Sequence, residues 1–301
     1  MKNKYPIYIV SKGRWENPLT ARFFIKDNVD FKIVIEPQEY ENYASVIPEK
    51  YLLKTDFSNL GVGSYPARNF AWEDAIKNGH ERYWCFDDNI NKLRQIYNGK
   101  RLEVDSLKAI CALEEFTDRY VNIGITGFNY TTFAPPQTVR KAFYMNCHVY
   151  SAMLIKTNVP FRWRLKYNED VDLCLLFLDN NYCTILTNAF TCDKTSTTAK
   201  MKGGNQTELY CNNAHEKKVL KARSLEELWP QYAETTWRFN RPHHKVDWKK
   251  HFKNPLIRRT DIDWDELKNK KVETNIEVIK PIESDKLRNW LQKNQIKNEK
   301  S

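Results

Sequence analysis

Two acidic clusters hold most of the chemical potential of this chain: Asp87, Asp88 and Asn89 in a row, and Glu169 with Asp170 behind Asn168. Adjacent carboxylates repel unless a cation or hydrogen-bond donors compensate them. Oxygen donors of this kind suit Mg²⁺ or Mn²⁺, with a diphosphate completing the shell. An Asp/Asn turn that merely ends a strand uses the same residues. Glu169 and Asp170 at a helix start are also what capping and the helix dipole favour. In one cleft with the first cluster, however, such a carboxylate has the chemistry of a general base. Ser64, Arg68 and Asn69 follow a glycine turn (Gly61, Gly63) and open a helix. Backbone N–H groups there attract phosphate, and Arg68 adds a planar fork. The third glycine of a dinucleotide fingerprint is missing. Lys194 to Lys202, followed by Gly203 and Gly204, reads as a flexible lid whose lysines would neutralise a leaving diphosphate, or as an ordinary solvated loop.

These residues need elements to position them. Tyr5–Val10 and Phe31–Ile35 are short apolar runs, and Tyr83–Phe86 is another, as expected of buried parallel strands. Helices are expected over Leu19–Ile25, Gln38–Ala44, Pro66–Lys77, Ser106–Tyr120 and Val171–Leu178. Asn78 and Gly79 form a stop for the third of these. Alternating strands and helices predict a parallel doubly wound sheet, whose ligands bind beyond the carboxyl ends of the strands. Ser11–Arg14, Glu36 and Asp87–Asn89 all fall at those ends. Further on, Val121–Phe128 and Ala142–Ile155 read as strand-rich and Thr184–Leu186 as a short strand. Thr191–Gln206 reads as a polar mobile loop, and Asp285–Gln295 as a last helix.

Composition narrows the class. With 301 residues, 41% hydrophobic and 29% charged, the chain is long enough to bury a core and too apolar for wholesale disorder. No run approaches the length of a membrane helix, and the N-terminus lacks a signal-peptide core. The seven cysteines show no disulfide framework and lack CxxC zinc spacing, so we expect reduced thiols in a cytoplasm. The net charge is +10, and from Arg241 onward 16 Lys/Arg face 10 Asp/Glu. A basic tail points to a polyanion such as nucleic acid, although a solvated lysine-rich surface has the same composition. Trp229, Trp237, Phe239, Trp248, Phe252 and Trp264 lie among these basic residues, where they would stack on bases or pack at a junction.

In their order, these motifs resemble those of a GT-A fold glycosyltransferase. Pro6–Arg14 together with Trp84–Ile90 resembles the TET-associated glycosyltransferases of bacteriophages, and the likeness runs from about Tyr5 to Tyr210. The resemblance implies an α/β fold with a Rossmann-like nucleotide-sugar-binding sheet, helices on both faces and a basic C-terminal extension. Residues 1–215 would form the catalytic domain and 216–301 a DNA-contacting extension. It also implies a UDP-sugar donor, a Mn²⁺ or Mg²⁺ ion and, as acceptor, a hydroxymethylated pyrimidine of the 5-hydroxymethylcytosine type in double-stranded DNA. Ser11, Lys12, Arg14, Glu36, Arg68, Asn69, Asp87 and Lys202 would contact the donor, and Asp88 or Asn89 the metal. Asp170, with Glu169 beside it, would take the acceptor proton in an inverting displacement. The family's acidic-x-acidic motif has Asn89 at its third position here, and its late metal-binding histidine has only His215 and His243 as candidates. A glycan or protein acceptor, or a non-catalytic DNA-binding module on this fold, are the competing readings.

Overall fold

The computed structural model describes residues 2–138, 141–195, 203–204, 214–238 and 240–269. The elements run β1 (Ile7–Val10), α1 (Leu19–Lys26), β2 (Lys32–Ile35), α2 (Tyr40–Ala44), β3 (Leu52–Lys54), α3 (Tyr65–Lys77), β4 (Arg82–Asp87), β5 (Ile90–Tyr97), β6 (Lys100–Glu103) and α4 (Ser106–Asp118). They continue with β7 (Ile123–Tyr130), β8 (Phe143–Met145), β9 (Ala152–Lys156), α5 (Glu169–Asp179), β10 (Cys183–Lys194) and α6 (Ala214–Leu228). The last are β11 (Ala233–Arg238), β12 (Arg241–Val246), α7 (Trp248–His251) and α8 (Trp264–Asn269). One sheet has the order β3-β2-β1-β4-β9-β7-β10-β5-β6, with β8 on β10, and β11 and β12 form a separate hairpin.

Alternation along each strand divides the core between two faces, because successive side chains point opposite ways. On β4, Trp84 and Phe86 face α1 and α4 through Phe24 and Ile110. Tyr83 and Cys85 face α3 and α5 through Trp72 and Phe177. The sheet is therefore covered by helices on both sides. A third cluster packs Val171, Leu175 and Leu178 of α5 against Leu225, Trp229 and Phe252, which fastens the C-terminal segment to α5.

Two expectations about the sheet need correction. Only β3, β2, β1 and β4, and separately β7 with β10, run parallel; β9 lies antiparallel between β4 and β7, so the sheet is mixed. An apolar run carries no information about strand direction. The polar stretch from Thr191 is not a loop as far as Lys194. It is the end of the twelve-residue β10, with Thr191 and Cys192 fully buried between β7 and β5. Residues 285–295, expected as helix, lie outside the described residues. No helix among the described residues is long and apolar enough to cross a membrane, and Cys85, Cys111, Cys147, Cys174, Cys183 and Cys192 are free thiols.

Gly127 of β7 marks the tightest approach. A Cβ there would meet Val149 Cγ1 at 2.4 Å and the Ala152 carbonyl oxygen at 2.5 Å. Gly127→Ala must move backbone in a close-packed layer, so we expect a loss of about 1–3 kcal/mol, read as a lower denaturant midpoint with an unchanged slope.

Candidate active site

The carboxyl ends of β1, β2 and β4 and the first turns of α3 and α5 converge on a cleft of about 320 Å³. Ser11, Lys12, Arg14, Glu36, Arg68, Asp87, Asp88, Asn89, Glu169 and Asp170 all line it. Five separate stretches of sequence thus meet in one place.

Asp87 sits between two cations. Arg68 Nη2 donates to its Oδ1 at 2.8 Å and Lys194 Nζ to its Oδ2 at 2.7 Å. Burial pushes the Asp87 carboxyl up, but Lys194 and Arg68 more than offset this and hold it well below the usual carboxylate range. Burial opposes the charge on Lys194 too, and Asp87 and Tyr130 keep its ammonium above its ordinary value. Lys194 also donates to Ser151 Oγ at 2.7 Å and Tyr130 Oη at 3.1 Å. The Arg68 guanidinium lies over the Trp163 ring at 4.8 Å and donates to Ser64 Oγ at 3.1 Å.

Asp88 is buried, pairs with the Arg14 guanidinium and accepts from Ser11 Oγ at 2.6 Å. Its burial outweighs both partners and pushes the carboxyl up. Asn89 Nδ2 donates to the Thr195 carbonyl at 2.8 Å, while Asn89 Oδ1 is buried without a hydrogen-bond partner. Glu36 is desolvated, yet the Asn59 N–H, Gln38 and Lys12 bring its carboxyl below the ordinary value. On the far wall, burial raises Glu169, which accepts from Ser64 Oγ at 2.9 Å. Its neighbour Asp170 moves the other way: desolvation is overcome by His148, whose Nε2 lies 3.0 Å from Oδ2. Adjacent carboxyls whose environments push them apart are a frequent signature of acid–base sites.

Two expected residues are placed elsewhere. Asn69 turns away from the cleft: its Nδ2 donates to the Trp163 carbonyl at 2.8 Å and its Oδ1 accepts the Trp163 N–H at 3.1 Å. Its amide thereby ties the start of α3 to the Trp163 backbone. His243 accepts from Arg241 Nε at 2.8 Å on the β12 hairpin and does not line the cleft. Lys202 and the His215 side chain lie outside the described residues. Lys194 does reach the cleft, from a strand and not from a lid. Gly203 and Gly204 pack on the Ser11–Arg14 turn, with Gly204 N–H donating to the Lys12 carbonyl at 2.7 Å. Sequence reasoning missed Tyr130, Ser151 and His148, none of which carries a local signal.

The donor set bears on a divalent cation. Among the described residues no three His, Cys, Asp or Glu side chains are arranged to hold a metal ion. Asp88 and the orphaned Asn89 Oδ1 fit a cation that takes the rest of its shell from donor phosphates. Arg14 would have to yield its place on Asp88.

Sheet order, helices on both faces and a cleft at the strand ends define the fold as GT-A, that of nucleotide-sugar transferases. The family model of the TET-associated glycosyltransferases matches residues 5–204, and the chain belongs to that family. Among solved structures, a mannosyltransferase from Pyrobaculum calidifontis in complex with GDP-mannose and Mn²⁺ superposes with a TM-score of 0.50 at 10% identity, covering 77% of this chain. The chain spans 64% of that enzyme's length. A putative nucleotide-diphospho-sugar transferase from Desulfovibrio desulfuricans gives a TM-score of 0.36 at 12% identity, covering 77% of this chain and 98% of that one. No curated protein matches.

Proposed function

We propose that the protein is a glycosyltransferase moving a sugar from a nucleotide diphosphate donor, UDP-linked in our reading, to the hydroxymethyl group of a modified pyrimidine in DNA. The observation that carries the reading is that Glu169 and Asp170 line the same cleft as Asp87–Asn89 and Arg68. A proton acceptor and a diphosphate-binding edge thereby share one space.

Ser11, Lys12, Arg14 and Glu36 contact the nucleotide side, and Arg68 and Lys194 provide charge for the leaving diphosphate. As the bond from the anomeric carbon lengthens, these fixed cations meet the negative charge that develops, which needs no reorganisation at the moment of reaction. Asp88 and Asn89 would hold a Mn²⁺ or Mg²⁺ ion, which supplies Lewis-acid neutralisation of the phosphates when bound. Asp170 accepts the acceptor hydroxyl's proton as that oxygen attacks, and a single displacement inverts the anomeric centre.

Residues 1–215 then form the catalytic unit and 216–301 the DNA-contacting extension. Support comes from the β11–β12 hairpin, where Arg238 and Arg241 are register partners beside the exposed Trp237. Paired guanidiniums and an exposed indole suit phosphates and an unstacked base; reaching a hydroxymethyl group in a duplex requires flipping of its base.

The test is nucleoside mass spectrometry after incubation with 5-hydroxymethylcytosine duplex DNA, Mn²⁺ and a panel of UDP-sugars. A sugar mass increment abolished by EDTA and restored by Mn²⁺ or Mg²⁺ is the expected result. Nucleotide release without DNA modification would move the acceptor to a glycan or protein. Neither modification nor release from any donor, by folded protein, would favour a binding module.

A further inference from the structure

We propose that His148 is a positioning residue for Asp170: it holds the carboxylate in the orientation from which the acceptor's proton is taken. The inference rests on reading Asp170 as the base, and it concerns a histidine outside every sequence motif of the cleft.

Three contacts build the geometry. His148 lies between β8 and β9, in a stretch pinned on both sides: Thr184 Oγ1 accepts the Cys147 N–H at 2.8 Å, and Cys174 Sγ accepts the Val149 N–H at 3.3 Å. Its ring is parallel to Trp248, with centroids 6.1 Å apart and planes 6° from each other, and it meets Tyr150 edge-on at 5.0 Å. Nε2 is shielded from solvent and makes no aligned hydrogen bond, so its polar contact is the 3.0 Å approach to Asp170 Oδ2. The other carboxylate oxygen accepts the Val171 N–H at 2.9 Å. Asp170 is thus gripped at one oxygen by its own helix start and at the other by an imidazole that is itself clamped.

In the reaction the acceptor oxygen bonds to the anomeric carbon, and the bond from that carbon to the diphosphate breaks with its electron pair leaving on the diphosphate. The hydroxyl proton passes to Asp170. His148 neither gains nor loses an atom in this step; it fixes where the carboxylate stands and favours its ionised form. Among the described residues the other charged or titratable groups around the pair include Glu169 and Cys174 on α5, Arg68 on α3, Tyr150 before β9, Lys221 on α6 and His244 on β12. His244 is held down to about 4 by burial and by His148, so it stays neutral over the working range.

The test combines a carboxyl-carbon NMR titration of Asp170 with turnover, on the full chain. In His148→Ala the Asp170 midpoint should rise by about one pH unit or more. Its kcat should fall about 10–100-fold with donor KM unchanged, as expected when a reacting group loses its alignment. His148→Gln, which offers an amide N–H without a charge, should recover part of the rate but not the midpoint. In an Asp170→Asn background, His148→Ala should cost nothing further. An unmoved Asp170 titration in both variants, with Asp170→Asn inactive, would overturn this inference alone. Wild-type turnover by Asp170→Asn would overturn the base assignment and this inference with it.

Discussion

Asp170→Asn should lower kcat by about a thousandfold while leaving donor KM within a few-fold, in line with general bases contributing roughly 10²–10⁴. Asparagine keeps the shape and an oxygen for the Val171 N–H, so the fold should survive. What it loses is the capacity to take a proton. Glu169→Gln is the matched control. Glu169 accepts from Ser64 Oγ and lies 3.7 Å from Arg68 Nη2, and a glutamine retains an oxygen for Ser64, so its kcat should stay within about tenfold of wild type. Initial rates of nucleotide release, with thermal midpoints for both variants, check the pair. If the losses were reversed, the base would be Glu169.

The second large effect falls on stability. Asp87→Ala strips the nearest carboxylate from Arg68 and Lys194 together, and both cations are largely buried. Breaking one buried pair costs about 3–5 kcal/mol because a charge is left uncompensated, so the variant should lose at least that much by urea denaturation. Turnover should disappear with it. Removing Lys194 as well should return part of the loss: the Asp87→Ala/Lys194→Met double variant should be more stable than a sum of the single effects, a coupling that a double-mutant cycle reads directly. The pH dependence has a definite sign. The folded Asp87 carboxyl is depressed below its unfolded value. Its stabilisation is therefore complete above the unfolded carboxylate range near ~4 and is lost progressively as pH falls below it. Wild type should lose stability on acidification through that range more steeply than Asp87→Ala.

Much of the cleft is legible because buried strands read as apolar runs and end abruptly in polar residues. Ser11, Glu36 and Asp87 each stand at such a boundary. Arg68 and Asn69 show where this kind of reading stops. Adjacent helical residues point about 100° apart, so a helix start that sends Arg68 into the cleft must turn Asn69 elsewhere, here to the Trp163 backbone. Composition alone cannot say which of the two faces inward. Lys194 reads as lid or solvated loop because Thr191–Lys194 looks polar, yet pairing of β10 with both β7 and β5 makes those residues interior strand. His148 has no local pattern at all; only the packing of α5 against the β8–β9 connection brings it to Asp170.

The parallel contact between Trp248 and His148 has an architectural consequence. The family match ends at residue 204, whereas Trp248, Lys221 and His244, which surround the His148–Asp170 pair, come after it in the chain. The surroundings of Asp170 are thereby built from two stretches of the chain, one inside the family segment and one beyond it. A truncated protein ending with the family segment would keep His148 beside Asp170 but lose Trp248, the ring stacked on that imidazole, and the apolar cover of α5.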